Sequence, residues 1–307
     1  MKLTAPQRLL LDALLLSPPQ AGDAWRSWRA STDLSCLDKS SYHLLPALAG
    51  RMPAWLEDDP QRAILMGICR RAWSENQVQR KLLADALEIL AAAGIERVAA
   101  TGPVLWGALY WPEGAIRPIG MVHLLLDPAV VRIAFEALVR AGWKAPNGIP
   151  DTEGKRFYFA GGALLESPSG GRVRVHWRAL PNTDLSIRRP RFPPLEPMRP
   201  GLVARYAMPP EYSLVAALGG DHQDAVAWHF DALMICRQPG LRWERVAALL
   251  RRRSAQRERL NELRRDCGAE FPRAVTRPVW TSGVERALAS ALGLLARQRA
   301  QLKGRAL

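Results

Sequence analysis

Cysteine is scarce in this chain: four residues in 307, at Cys36, Cys69, Cys236 and Cys267. They stand far apart and no C-x-x-C pair occurs, so no zinc site or redox motif is signalled. Reduced, buried thiols of a cytoplasmic protein are the simplest expectation. Long apolar runs are also missing, and no stretch reaches the roughly 18 to 20 residues that a membrane span needs. The opening segment MKLTAPQRLLLDALLLSPPQ is interrupted by Arg8 and Asp12. It reads as an amphipathic helix ended by Pro18-Pro19 rather than as a signal peptide. Acid is under-represented: 29 Asp and Glu against 43 Lys and Arg give a formal net charge of +14. That balance favours anionic partners such as nucleotides, nucleic acid, acidic peptide or a membrane surface. An arginine-rich composition alone produces the same balance. No internal repeat is evident, no Ser-His-Asp or Cys-His arrangement can be argued, and no helix-turn-helix, zinc-finger or RNA-recognition signature is present.

What is there is ordinary globular composition, 48% hydrophobic and 23% charged. The first hundred residues read as helix. Trp25 and Trp28 are three apart and share a face, and Leu82, Leu83, Leu87 and Leu90 form a stripe on a long helix over 60–93 that Gly94 should stop. The middle alternates. A short strand is expected at 97–100, a helix with proline at its first position at 103–110, a strand at 122–126 and a helix at 128–141. Strands at 157–160 and 172–177 would form a hairpin around the Gly- and Ser-rich turn at 167–171. Residues 180–210 are rich in proline and include the basic run SIRRPRFPP, which suggests a linker or wrapping arm. From 210 onward the pattern returns to helix, through a last stretch at 282–301.

The segment RPIGMVHLLLDP, Arg117 to Pro128, reads as a tight turn followed by a buried strand. Its frame resembles the R-P-x-G-D-x-D-L-L-V strand of the uncharacterised nucleotidyltransferase family, a branch of the polymerase-β-like superfamily. Other stretches resemble the family in the same order. SYHLLPALAGRM (41–52) resembles its S-Y-x-L-L-P element, and residues 70–95 its long helix. Residues 98–120 resemble its L-K-G element and R-P-x-G turn, with Gly102, Tyr110, Arg117, Pro118 and Gly120 matching. VRVHWRAL (173–180) resembles its D-L-H-W strand, and residues 231–250 its D-A element with a tryptophan-led helix. The resemblance implies an α+β protein with a small polymerase-β-like nucleotidyltransferase sheet core. The expected divisions are a helical N-terminal region at 1–95, the α/β core at 96–180, the proline-rich linker or arm at 181–210 and a helical C-terminal region at 211–307.

It also implies where Mg²⁺ would sit, and there the chain differs. The family's two D-x-D aspartates are Met121 and His123, its third carboxylate is Arg174, and its lysine beside the glycine is Thr101. Nucleotidyl transfer needs metals held by carboxylates. Methionine does not suit Mg²⁺, and histidine suits softer metals. No catalytic set is intact, and neither a metal nor a cofactor is expected. Mg²⁺ would enter only with relocated ligands, for which Asp127 is the one candidate. Its place before Pro128 suits a helix cap better.

The ligand-binding candidates are therefore Gly102, Arg117, His123, Arg174 and His176. A pocket of this kind would attract an anion: a phosphate, a nucleotide without metal, or an acidic tail. His123 and His176 should lie on paired strands, as a two-histidine site or as structural, hydrogen-bonded residues. His222 and His229 share a face but lack a third ligand. The expected function is a catalytically impaired nucleotidyltransferase-like protein that binds an anion, a nucleotide or a partner protein. The alternatives are an active transferase with relocated ligands, and nucleic-acid binding by the arginine-rich stretch at 251–265, where Glu258 and Glu262 interleave with the arginines. The arm at 180–210 and that basic stretch are the candidate partner-contact surfaces.

Overall fold

The computed structural model describes residues 3–51, 54–154, 157, 160–180, 192–198, 202–219, 225–251 and 253–267. Helix α1 (Ala5–Leu15) opens on a capping box, in which the Thr4 side chain accepts from the Gln7 backbone and the Gln7 side chain accepts from the Thr4 backbone. The prolines that end α1 also start α2 (Pro18–Ser31), since a first helical turn has no use for the missing N–H. Trp25 and Trp28 stack with centroids 4.9 Å apart, and both are buried. Helix α3 (Lys39–Arg51) and the single turn α4 (Ala54–Glu57) lead into α5 (Arg62–Ala92). At the end of α5, Gly94 adopts φ +77°. The Gly94 and Ile95 amides bond back to the Ala91 and Leu90 carbonyls, each at 2.9 Å.

Six strands form one mixed sheet: β1 (Ala99–Thr101), β2 (Val122–Leu125), β3 (Gly162–Glu166), β4 (Arg172–His176), β5 (Glu196–Pro197) and β6 (Tyr206–Ala207), in the order β3-β4-β2-β1-β6-β5. Helix α6 (Pro103–Leu109) connects β1 to antiparallel β2, while α7 (Val131–Arg140) and β3 lie between β2 and its parallel neighbour β4. Two features differ from the sequence reading. The outer hairpin strand starts at Gly162, and Phe157 and Ala160 are helical. The hairpin closes around Ser167–Gly171, with Glu166 opposite Arg172 and their charges 3.4 Å apart. The arm is also not irregular throughout, because β5 and β6 extend the sheet beyond β1. Residues 181–191 of that arm lie outside the described residues.

Alternation assigns the two sheet faces. Ala100, Val122, Leu124, Leu165, Val173 and Val175 pack with Leu82, Leu83, Leu90, Phe135 and Leu138 of α5 and α7. Ala99 and Leu125 turn the other way, to Leu195 and Met208. Among the described residues the remaining helices are α8 (Pro210–Gly219), α9 (Ala225–Cys236), α10 (Trp243–Leu250) and α11 (Ser254–Cys267). They share a single apolar cluster with the N-terminal helices: Leu10, Trp28, Leu44 and Leu45 lie in the same core as Leu214, Phe230, Ile235 and Leu260. Helix α5 serves both cores, with Leu65 and Cys69 in the helical one and Leu82 onward under the sheet. Its 31 residues span about 46 Å at 1.5 Å per residue. Among the described residues no helix is long and apolar enough to cross a membrane.

Candidate functional site

Strand β2 lies inside the sheet, and its register aligns Thr101, His123, Arg174 and Leu164 in one row across four strands. These side chains therefore leave the sheet on one face, together with His176, two residues further along β4. The two histidines meet directly. His123 Nδ1 and His176 Nε2 are 2.9 Å apart, a hydrogen bond, and the rings are nearly parallel, at 13° with centroids 5.2 Å apart.

Two glycines make room for the pair. Gly102 ends β1 at φ +72°, and a Cβ there would sit 3.6 Å from the His123 ring. A Cβ on Gly162 would come within 2.8 Å of the Val175 carbonyl oxygen and 3.1 Å of His176 Nδ1. The first glycine is required by its backbone conformation and the second by close approach.

Burial controls the protonation state. Desolvation, then the Arg174 charge, pulls the His123 pKa down to about 4. Desolvation, then His123 and Arg174, pulls His176 down to about 3. Both rings are neutral near pH 7, joined by one shared hydrogen. Arg174 itself is exposed and has no hydrogen bond or ion pair among the described residues.

Gly102, His123, Arg174 and His176 are thus brought together; Arg117 is committed elsewhere. Its guanidinium grips Asp231 of α9 through Nε at 3.2 Å to Oδ1 and Nη2 at 3.0 Å to Oδ2. The two side chains are only 8% and 1% exposed. Trp111 Nε1–H donates to the same carboxylate at 2.9 Å, and the Arg117 charge lies 5.7 Å from the Trp111 ring centre. Asn76 of α5 holds the turn from beneath, donating to the Arg117 carbonyl at 2.9 Å and accepting from Ile119 N–H at 2.8 Å. Nothing in the sequence marks Asn76 or Asp231 as partners of a turn 41 and 114 residues away.

Met121 is half-buried, immediately before β2. Asp127 accepts from Ala129 N–H at 2.9 Å and caps the short 3₁₀ turn Pro128–Val130, the capping role its position suggested. No protein-family model, curated protein or solved structure matches this chain.

The basic stretch also resolves residue by residue. Arg257, buried, donates to the Leu250 carbonyl, and Arg253 donates to Leu249. Arg259 donates to Leu218 at the end of α8, at 2.8 Å. These guanidiniums satisfy carbonyls at helix C-termini, which leaves Arg251, Arg264 and Arg265 as the exposed members among the described residues. His229 is fully buried, 3.4 Å from Asp266; His222 lies outside the described residues, as do Arg188, Arg189 and Arg191.

Chemically, a neutral imidazole pair beside a free guanidinium offers hydrogen-bond donors, one acceptor and a positive field. Hard divalent cations prefer carboxylate oxygens and are repelled by Arg174. An anion is attracted by the same groups.

Proposed function

We propose that this chain is a polymerase-β-like nucleotidyltransferase relative that recognises an anionic ligand, a nucleotide or an acidic partner, and that has lost metal-dependent transfer. The supporting observation is the bonded, neutral His123–His176 pair beside Arg174; His123 and Arg174 stand where the resemblance expects metal-holding carboxylates, and His176 matches the histidine of its D-L-H-W strand. The four cysteines form no disulfide, which accords with a cytoplasmic setting.

Calorimetry with ATP, with and without Mg²⁺, tests the reading. Metal-independent binding that weakens about tenfold in Arg174→Ala supports it, since a hydrogen bond to a charged group contributes about 1.5–3 kcal/mol. Tight, stoichiometric binding that requires Mg²⁺ would overturn it. Transfer of labelled AMP that disappears in Asp127→Asn would favour relocated metal ligands instead. Nucleic-acid binding remains the third reading; its mark would be an affinity that falls steeply with salt and depends on Arg251, Arg264 and Arg265.

A further inference from the structure

On the opposite face of the sheet from the histidines lies a cavity of about 140 Å³. Helix α5 supplies Arg80 and Leu83 to it, β1 supplies Ala100, α6 supplies Ala108, and the β5–β6 hairpin supplies Met198 and Ala204. The space exists because three elements converge on alanines, whose methyl groups do not fill it. Leu83, Ala100 and Ala204 are buried, so the inner wall is aliphatic. An enclosed apolar cavity of about 150 Å³ accepts a guest the size of benzene; this one, open to solvent at its Arg80 and Val203 side, has room for a ring of that size. An empty cavity forfeits the dispersion contacts of its lining atoms.

Arg80 is the only charged residue among the described lining residues, and it is exposed. Helix geometry leaves its charge unmatched. The residues three and four positions away are Asn76, Gln77, Leu83 and Ala84, none of them acidic. The neighbouring Lys81, by contrast, pairs with Asp85. Arg80 has no hydrogen bond or ion pair among the described residues. Asn76, which could have reached it, is held by the Arg117–Ile119 turn.

We propose that this cavity binds a small carboxylate with an apolar body about the size of a benzene ring. The body fills the space between the alanines, and the carboxylate meets the Arg80 guanidinium at the rim. Met198, unbranched and half-buried, adjusts to the shape of the guest. The site does not depend on Arg174 or on the histidine pair.

Benzoate and benzyl alcohol, which differ in charge but share the ring, are the probes. Both are titrated into the full chain by isothermal calorimetry or by amide-shift NMR. Single-site saturation is expected for benzoate, with benzyl alcohol at least tenfold weaker. Arg80→Gln should abolish that preference, and Ala108→Phe, which occupies the cavity, should abolish both. If Ala108→Phe does not fold by circular dichroism, Ala204→Val gives the same test with a smaller group. Absence of saturable binding, an unchanged preference in Arg80→Gln, or unchanged binding in the filled variant would each overturn the proposal.

Discussion

At the residue scale, the histidine pair makes stability depend on pH. Burial holds both pKa values below the ordinary 6.5. As pH falls, the unfolded chain takes up protons before the folded one does. The contribution is complete above about pH 7 and is lost as pH drops from 6.5 towards the folded values. The urea midpoint should therefore be lower at pH 4.5 than at pH 7.5. The double variant His123→Gln/His176→Gln should show a smaller drop, and an equal drop would contradict the assignment. The Arg117–Asp231 pair makes a second residue-scale prediction. Asp231→Ala leaves a buried guanidinium without its partner, which costs about 3–5 kcal/mol. Urea unfolding of this variant, against Asp85→Ala as an exposed-pair control near zero, measures the difference.

Part of this site was legible before the fold was known. Strand alternation predicts that Arg174 and His176 share a face, and a residue before proline predicts the Asp127 cap. The direct bond between the histidines was not legible, because it depends on how β2 and β4 are registered, and parallel neighbours separated by a helix and a hairpin carry no local signal of register. Arg117 looked available for a ligand for a similar reason: its carboxylate partner comes from a helix more than a hundred residues later.

At the scale of elements, periodicity served the helices well. The Leu82–Leu90 stripe, the Gly94 stop and the α6 start behind Gly102 all follow local rules. The short strands did not follow them. β5 and β6 are two residues each, too short to alternate. The strand expected at 157–160 begins instead at Gly162, where only hydrogen fits against the Val175 carbonyl. Gly162→Ala should therefore cost about 1–3 kcal/mol through overpacking and should shift the His176 ring resonances in NMR. Helix α5 carries a further consequence. Asn76→Ala removes two buried hydrogen bonds to the turn, and leaving such groups unsatisfied costs about 1–3 kcal/mol each. Faster amide exchange at Ile119 would register the loosened turn, and unchanged exchange there would contradict Asn76 as its support.

At the scale of the whole molecule, the helices before the sheet and those after it fill one cluster. A fragment ending at Leu180 would expose Leu10, Trp28 and Leu44 where Leu214, Phe230 and Leu260 belong. Such a fragment should lack a cooperative thermal transition and bind a hydrophobic dye, whereas the full chain should not. A cooperative, dye-free fragment would mean that the N-terminal helices close a core without the C-terminal ones.

The hydrogen bond between His123 and His176 has one consequence in terms of tautomers. One proton lies between Nδ1 of the first ring and Nε2 of the second. If it belongs to His123, the outer nitrogen of His123 is an acceptor and the outer nitrogen of His176 carries a hydrogen. If it belongs to His176, both outer roles reverse. The two ends of the pair are always unlike, and moving one proton along the line, with a second exchanged at the ends, inverts the pattern without changing the net charge. A ligand contacting His123 thereby selects the tautomer of His176 as well, so the two rings answer it as one unit.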